Sequence, residues 1–70
     1  MKELVGKYCK VYVRNLTAPT EKPIIYTAEV EAIDELGENV FIRILDRYGK
    51  VVRLNLKDII QITEINEVNE

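Results

Sequence analysis

Four short runs in this chain alternate apolar and polar residues, and no other feature constrains the fold as strongly. They cover residues 9–14, 28–33, 40–45 and 51–56. Successive side chains of a β-strand point to opposite faces of a sheet, so a two-residue period predicts strands with one buried face. Residues 59–65 are predicted as a fifth strand, because the β-branched run that begins at Ile59 disfavours the alternative, a helix over residues 59–68.

The segments between these runs predict how the strands connect. Both prolines lie in residues 16–23, which are predicted as a loop, whereas Gly37 and Gly49 predict tight turns over residues 34–39 and 46–50. The alternation stops at Lys57 and Asp58, where a single 3-10 turn is expected. Small alanines at inward positions, Ala28 and Ala32, favour a sheet that coils on itself. The predicted fold is all-β: a five-stranded antiparallel small barrel with one 3-10 turn before the last strand.

The sequence predicts one domain over residues 1–65, followed by a flexible acidic tail over residues 66–70. The inward positions of the strands define the expected core. The residues that we expect to be buried are Cys9, Val11, Val13, Val30, Ile42, Ile44, Val52, Leu54 and Ile62.

Composition argues against several classes of function. Histidine is absent and Cys9 is the only cysteine, so the commonest general base and metal ligand are missing, and we expect no catalytic residue, metal site or cofactor. Twelve acidic and ten basic side chains give a net charge of −2, which weakens attraction of the whole surface to nucleic acid. The sequence contains no apolar run near the length of a membrane span and no signal peptide, so a cytoplasmic protein is expected.

The order of elements resembles an SH3-like small barrel, and the Sm-like fold is one similar family. Ala28 begins a strand, Asp34 ends it and Asn39 opens the next, which is similar to the first Sm motif, although the spacing from Asp to Asn is longer by one residue. Lys57 and Asp58 stand where the second Sm motif has an Arg-Gly pair. The resemblance implies association with RNA, and homo-oligomers that form when edge strands of neighbouring subunits pair.

The C-terminal domain of the ribosome maturation factor RimP is the second similar family. Residues 5–7 before the first strand, 49–52 at the start of the fourth and 56–59 before the fifth look like that family's pattern. This resemblance implies association with the ribosome. It supports the fold better than the function, since alternating strands and hairpin glycines occur in many unrelated barrels.

The outward face of the first strand is the first candidate binding surface, which we call the β1 stripe. It interleaves two aromatic and two basic side chains: Tyr8, Lys10, Tyr12 and Arg14. Rings can stack on bases while cations meet phosphates, so the pattern suits nucleic acid. The alternative is an ordinary solvated face, whose cations pair across the sheet with Glu29 and Glu31.

The second hairpin carries another candidate, which we call the hairpin cluster. Its members are Arg43, Arg47, Tyr48, Lys50 and Arg53. Such a cluster can bind an acidic partner, or it can be a solvated hairpin whose charges keep an edge strand from pairing with other chains. The acidic turn with Asp34, Glu35 and Glu38 lacks the spacing of a calcium loop and is interpreted as a solvated turn.

An apolar set on the outward face of the third and fourth strands is the last candidate. Phe41, Leu45 and Val51 can form an exposed patch that marks a partner surface, or Leu16, Ile24, Ile65 or Val68 can cover them. We therefore expect a non-catalytic binding module whose partner is a protein, with weak RNA or ribosome association as the alternative. A protein partner requires the exposed patch, whereas RNA requires continuous positive potential from Arg14 to Arg53.

Overall fold

The computed structural model describes residues 2–18 and 22–65, which form one antiparallel sheet. The five strands are β1 (Tyr8–Val13), β2 (Ile24–Leu36), β3 (Asn39–Leu45), β4 (Val51–Asn55) and β5 (Ile59–Glu64). Short 3-10 turns lie at Lys2–Leu4 and Leu56–Asp58. The all-β prediction and the turn before the last strand are confirmed, while the predicted tail lies outside the described residues. No helical segment of the described chain is long and apolar enough to cross a membrane.

The sheet is open, so the predicted closure into a barrel is not confirmed. Its strand order is β4-β3-β2-β1-β5, and within the described residues β4 pairs only with β3 and β5 only with β1. The turn Leu56–Asp58 separates the two edge strands, and Oδ1 of Asn55 caps it by accepting a hydrogen bond from the Lys57 backbone N–H at 2.9 Å. The chain thus passes from one edge of the sheet to the other at this turn.

The hairpin between β2 and β3 is tighter than the sequence predicts. The turn expected over residues 34–39 is wrong in extent, because Asp34, Glu35 and Leu36 continue the ladder opposite Phe41, Val40 and Asn39. Only Gly37 and Glu38 remain in the turn, where Gly37 has a φ of +62°. Two-residue hairpin loops need such left-handed backbone, which glycine adopts at little cost.

A β-bulge at Glu31 reverses the faces of β2. Val30 lies opposite Ile44, but the next paired residue is Ala32, opposite Arg43, and Ile33 then lies opposite the buried Ile42. The prediction that Ala32 points inward is therefore wrong. An extra residue in one strand shifts every later side chain by one face, which brings Ile33 to the core side.

The core lies on the inner face, where the three central strands contribute most of its residues. It consists of Cys9, Val11, Val13, Ala28, Val30, Ile42, Ile44 and Leu54. Burial is thus confirmed for most of the predicted core. Val52 and Ile62, on the edge strands β4 and β5, are only half-buried and pack against this core.

Candidate binding surfaces

The β1 stripe exists only in part, because Arg14 leaves it. Tyr8, Lys10 and Tyr12 share the outer face, where Tyr8 lies opposite Glu29. Arg14 follows the end of β1, and its Nη2 donates a hydrogen bond to the Lys57 carbonyl at 3.4 Å. The stripe therefore carries one cation, Lys10, between two tyrosines.

The acidic residues of β2 form no ion pairs with the β1 stripe in the described residues, so the cross-strand charge pairs expected for a solvated face are not present, while the interpretation of the stripe as a solvated face stays open. Glu31 lies in the bulge, with its Oε1 at 4.0 Å from Nη1 of Arg43 on β3. Glu29 makes no ion pair with another described residue. Neither Lys10 nor Arg14 lies within ion-pair distance of a carboxylate in residues 2–18 and 22–65.

The hairpin cluster divides into one neutralised arginine and four exposed side chains. Arg43 holds Asp34 through two hydrogen bonds, Nε to Oδ2 at 2.8 Å and Nη2 to Oδ1 at 3.3 Å, so its charge is compensated. The exposed members are Arg47, Tyr48, Lys50 and Arg53. The positive charge of this cluster is thus concentrated at the hairpin tip and on β4.

Asp46 organises that tip and does not neutralise it. Its Oδ1 accepts hydrogen bonds from the backbone N–H groups of Tyr48 at 2.9 Å and Lys50 at 2.8 Å. The Asp46 N–H donates to the Lys50 carbonyl at 3.0 Å, and Gly49 completes the turn with a φ of +82°. The carboxylate therefore fixes the backbone that presents Tyr48 and Lys50 to solvent.

We expect Asp46→Ala to lower the free energy of unfolding by about 1–2 kcal/mol, because two backbone donors lose their acceptor. Asp46→Asn retains an oxygen at the same position and should lose less than half of that. Urea denaturation followed by circular dichroism measures both variants. Equal losses in the two variants would show that the charge matters and the acceptor geometry does not.

The expected apolar patch on the outer face is smaller than predicted. Phe41 and Leu45 are half-buried, and Val51 is 48% exposed. The Arg53 guanidinium lies 5.7 Å from the centroid of the Phe41 ring, at cation–π distance. Leu16 and Ile24, two of the residues named above as alternatives that can cover this set, line the groove described below. Val68 is outside the described residues.

Two residues of the predicted acidic turn, Asp34 and Glu35, belong to β2, and Asp34 forms an ion pair with Arg43. Glu35 and Glu38 are exposed. No three His, Cys, Asp or Glu side chains among the described residues are grouped as metal ligands.

Sequence reasoning missed a groove in which segments far apart in the chain meet. It has a volume of about 310 Å³ and runs between the end of β1, the start of β2, the end of β4 and the Leu56–Asp58 turn. Arg14 and Arg53, assigned to two separate candidates, both line it. Its apolar lining includes Leu16 and Ile24, which are 63% and 43% exposed. Two aliphatic residues that flank a proline-containing loop were the only signal available in the sequence.

A second depression lies beside β5 and has no cation in its lining. Its volume is about 390 Å³, and it is lined by Glu3, Leu4, Leu56, Ile59, Ile60, Gln61 and Ile62. Ile60 is the extra residue of a bulge, since Gln61 lies opposite Tyr12 and Ile59 opposite Val13, and it is 60% exposed.

Cys9 is buried, as predicted, and this makes it a poor nucleophile. Its side chain has no exposed surface, and its Sγ lies 3.8 Å from the Lys7 carbonyl oxygen. Burial raises the pKa of the thiol, the nearby Glu64 carboxylate raises it further, and Lys7 acts in the opposite direction. The reactive form of cysteine, the thiolate, is therefore disfavoured.

Comparison with known proteins yields no match to a protein-family model, a curated protein or a solved structure.

Proposed function

We propose that this chain is a non-catalytic module that binds another protein, and that an extended segment of the partner pairs with the free edge of β4. The observation that supports this proposal is an edge strand with one exposed aliphatic residue, Val51, beside exposed cations. A free edge offers unpaired backbone N–H and C=O groups, which a partner strand can satisfy. The absence of histidine and the buried Cys9 favour binding over catalysis.

Charge favours an acidic partner segment. Lys50 and Arg53 flank Val51, and neither forms an ion pair within the described residues. The other edge, β5, also exposes an aliphatic residue, Ile60, but its remaining exposed positions, Gln61, Thr63 and Glu64, include an acid and no cation. Complementary charge speeds encounter and rejects partners of the wrong sign, so β4 should select carboxylates.

RNA is the competing partner, and the arrangement of charge weighs against it. On the outer face the acidic side chains of β2, which are Glu29, Glu31 and Asp34, lie between β1 and β3. They interrupt positive potential across the outer face between Lys10 and the hairpin cluster. Arg14 and Arg53 line one groove, but Asp58 lines it as well and offsets part of their charge. A polyanion needs a continuous basic track along its backbone, whereas a short acidic peptide needs only the β4 side.

Selection from a displayed random peptide library tests the proposal. We expect the selected peptides to combine strand-forming residues with Asp or Glu, and we expect the backbone amides of β4 to gain protection from hydrogen exchange when such a peptide binds. Arg53→Glu should weaken binding by about tenfold or more. Lys10→Glu makes the same change of charge on β1 and should leave binding within about threefold.

Three results would contradict this function. Equal weakening by the two variants would indicate general charge attraction without a site. Protection confined to β5 would place the partner at the other edge. Submicromolar affinity for single-stranded RNA at physiological salt would make nucleic acid the partner. Light scattering of the free protein shows whether a second copy of the chain occupies the same edge.

A further inference from the structure

We infer that the groove between β1 and β4 is a binding site for an apolar side chain flanked by a carboxylate, in an extended segment of a partner protein. The inference rests on the proposed function for its class of ligand. It goes beyond that function because it adds a side-chain specificity at a site distinct from the backbone edge. Arg53 lies at the boundary of the two, since it belongs to β4 and also lines the groove.

The apolar lining accounts for half of this specificity. Leu16 is 63% exposed and Ile24 is 43% exposed, although both are large aliphatic residues. Two more apolar residues line the same groove: Leu54, which belongs to the core, and Tyr26, which packs against it. A ligand side chain that entered the groove would remove the exposed aliphatic surface from water, which is the main favourable term in such binding.

The rim accounts for the other half, because it holds two arginines without an acidic partner. Neither Arg14 nor Arg53 has a carboxylate within ion-pair distance in the described part of the chain. Arg43, by contrast, is compensated by Asp34 at 2.8 Å, and Lys7 by Glu64 at 3.4 Å. Guanidinium groups bind planar carboxylates through paired N–H donors. The Arg14 guanidinium makes one hydrogen bond, to the Lys57 carbonyl at 3.4 Å, and its other donors suit an acidic ligand. The Arg53 guanidinium lies 5.7 Å from the centroid of the Phe41 ring, so Arg53 adds positive charge near the groove while Arg14 is the carboxylate-binding residue of the rim.

Local hydrogen bonds hold the lining in place before a ligand arrives. The Arg14 backbone N–H donates to the Asp58 carbonyl at 2.7 Å, which ties the end of β1 to the 3-10 turn. Oδ1 of Asn15 accepts hydrogen bonds from the backbone N–H groups of Thr17 at 3.2 Å and Ala18 at 3.1 Å, and this fixes the loop that carries Leu16. A site with a fixed lining loses less conformational entropy when it binds.

The shape and charge of the groove favour a peptide over a nucleotide. Asp58 also lines it, so the two guanidinium charges are offset in part by one carboxylate. Tyr26 is the single aromatic residue of the lining, and the remaining apolar surface is aliphatic. Recognition of bases relies on aromatic stacking platforms, whereas aliphatic pockets suit aliphatic side chains. The depression beside β5 is comparably apolar, but no cation lines it.

Four labelled peptides of about ten residues, longer than β4 so that their ends stay free, test the inference. They share one extended backbone sequence. The first has a central leucine flanked by glutamates, the second replaces the leucine with alanine, the third replaces the glutamates with glutamines, and the fourth replaces them with lysines. Fluorescence anisotropy measures affinity, and side-chain methyl spectra report contact at Leu16, Ile24 and Leu54. A single-stranded oligouridine of similar length is the nucleic-acid probe.

We expect the first peptide to bind most tightly, with losses of about tenfold or more for the second and third peptides and no measurable binding of the fourth. Arg14→Gln should remove the preference for glutamate over glutamine, and Leu16→Asn should remove the preference for leucine over alanine. Both positions are exposed, so these variants are expected to fold. Lys10→Gln, on β1 but outside the groove, is the matched control and should change nothing.

Each contrary result has one meaning. If β4 amides gain protection while the methyl signals stay unshifted and Arg14→Gln has no effect, the groove inference is wrong and the proposed function stands. If the methyl signals shift without protection of β4, the edge proposal is wrong and the groove inference stands. Failure of all four peptides to bind at millimolar concentration overturns both. Stronger perturbation of the groove by oligouridine than by the first peptide, at physiological salt, overturns the peptide assignment.

Discussion

Truncation of Ile42 to alanine is expected to lower the free energy of unfolding by about 2–5 kcal/mol, the largest effect of any single change proposed for this protein. Ile42 has no exposed surface, and its cross-strand partners are Ile33 on β2 and Leu54 on β4. The shorter side chain would leave a cavity in the middle of the sheet. Small domains are stable by only about 5–15 kcal/mol, so this loss threatens folding itself.

Ile60→Ala is the matched control for this prediction, because it removes the same atoms from a side chain that is 60% exposed. We expect it to cost less than about 1 kcal/mol. Urea denaturation followed by far-ultraviolet circular dichroism compares the two variants. If Ile42→Ala fails to fold, Ile42→Val should still cost about 0.5–1.5 kcal/mol. A midpoint for Ile42→Ala no lower than that of Ile60→Ala would show that the register of β3 is wrong.

The second large effect concerns the chemical reactivity of Cys9. We expect iodoacetamide to modify this thiol about a thousandfold more slowly in the folded protein than in urea, because reaction requires the core to open. The side chain is fully buried and its thiolate is disfavoured. Mass spectrometry of quenched samples gives the rate. Modification of the native protein as fast as that of the unfolded chain would place Cys9 at the surface.

Because the pKa of Cys9 is raised in the folded state, this residue makes the free energy of unfolding fall as the pH rises. The folded state keeps the thiol protonated at pH values where the unfolded state ionises, so the folded state binds more protons above the unfolded pKa of about 8.5. Stability from this group is complete below that pH and is lost as pH rises towards the folded pKa. We expect Cys9→Ala to show a weaker loss of stability above pH ~8.5 than the natural chain. An identical alkaline loss in both would assign it to other groups.

The strands were predictable because their alternation reflects one local rule, the period of a pleated strand. The alternating runs over β1, β3 and β4 correctly predicted that Val11, Ile44 and Leu54 are buried. The bulge at Glu31 was not predictable, since alanine at position 32 and isoleucine at position 33 fit either face. Only the ladder with β3, a tertiary contact, decides between them.

Local sequence rules also could not predict that the sheet is open or that the groove forms, because both depend on contacts between distant parts of the chain. A pattern of inward residues shows that β5 has a buried face, but it does not state which strand β5 pairs with. Arg14 and Arg53 belong to different hairpins, and they line one groove because the Leu56–Asp58 turn, which follows β4, is hydrogen-bonded to the residue after β1. Exposure of Leu16 and Ile24 likewise depends on what the rest of the chain leaves uncovered.

The bulge at Glu31 also lies close to the point where β2 passes from one pairing partner to the other. Glu29 lies opposite Tyr8 on one side and Leu45 on the other, and the backbone of Val30 bonds to Gly6 and Lys7 while its ladder partner is Ile44. Elsewhere in the described sheet, β2 meets β1 along its first half and β3 along its second. Because a bulged strand bends, the half of β2 that pairs with β1 and the half that pairs with β3 differ in direction. A straight segment that lies along the outer face of β2 can therefore follow only one of these halves.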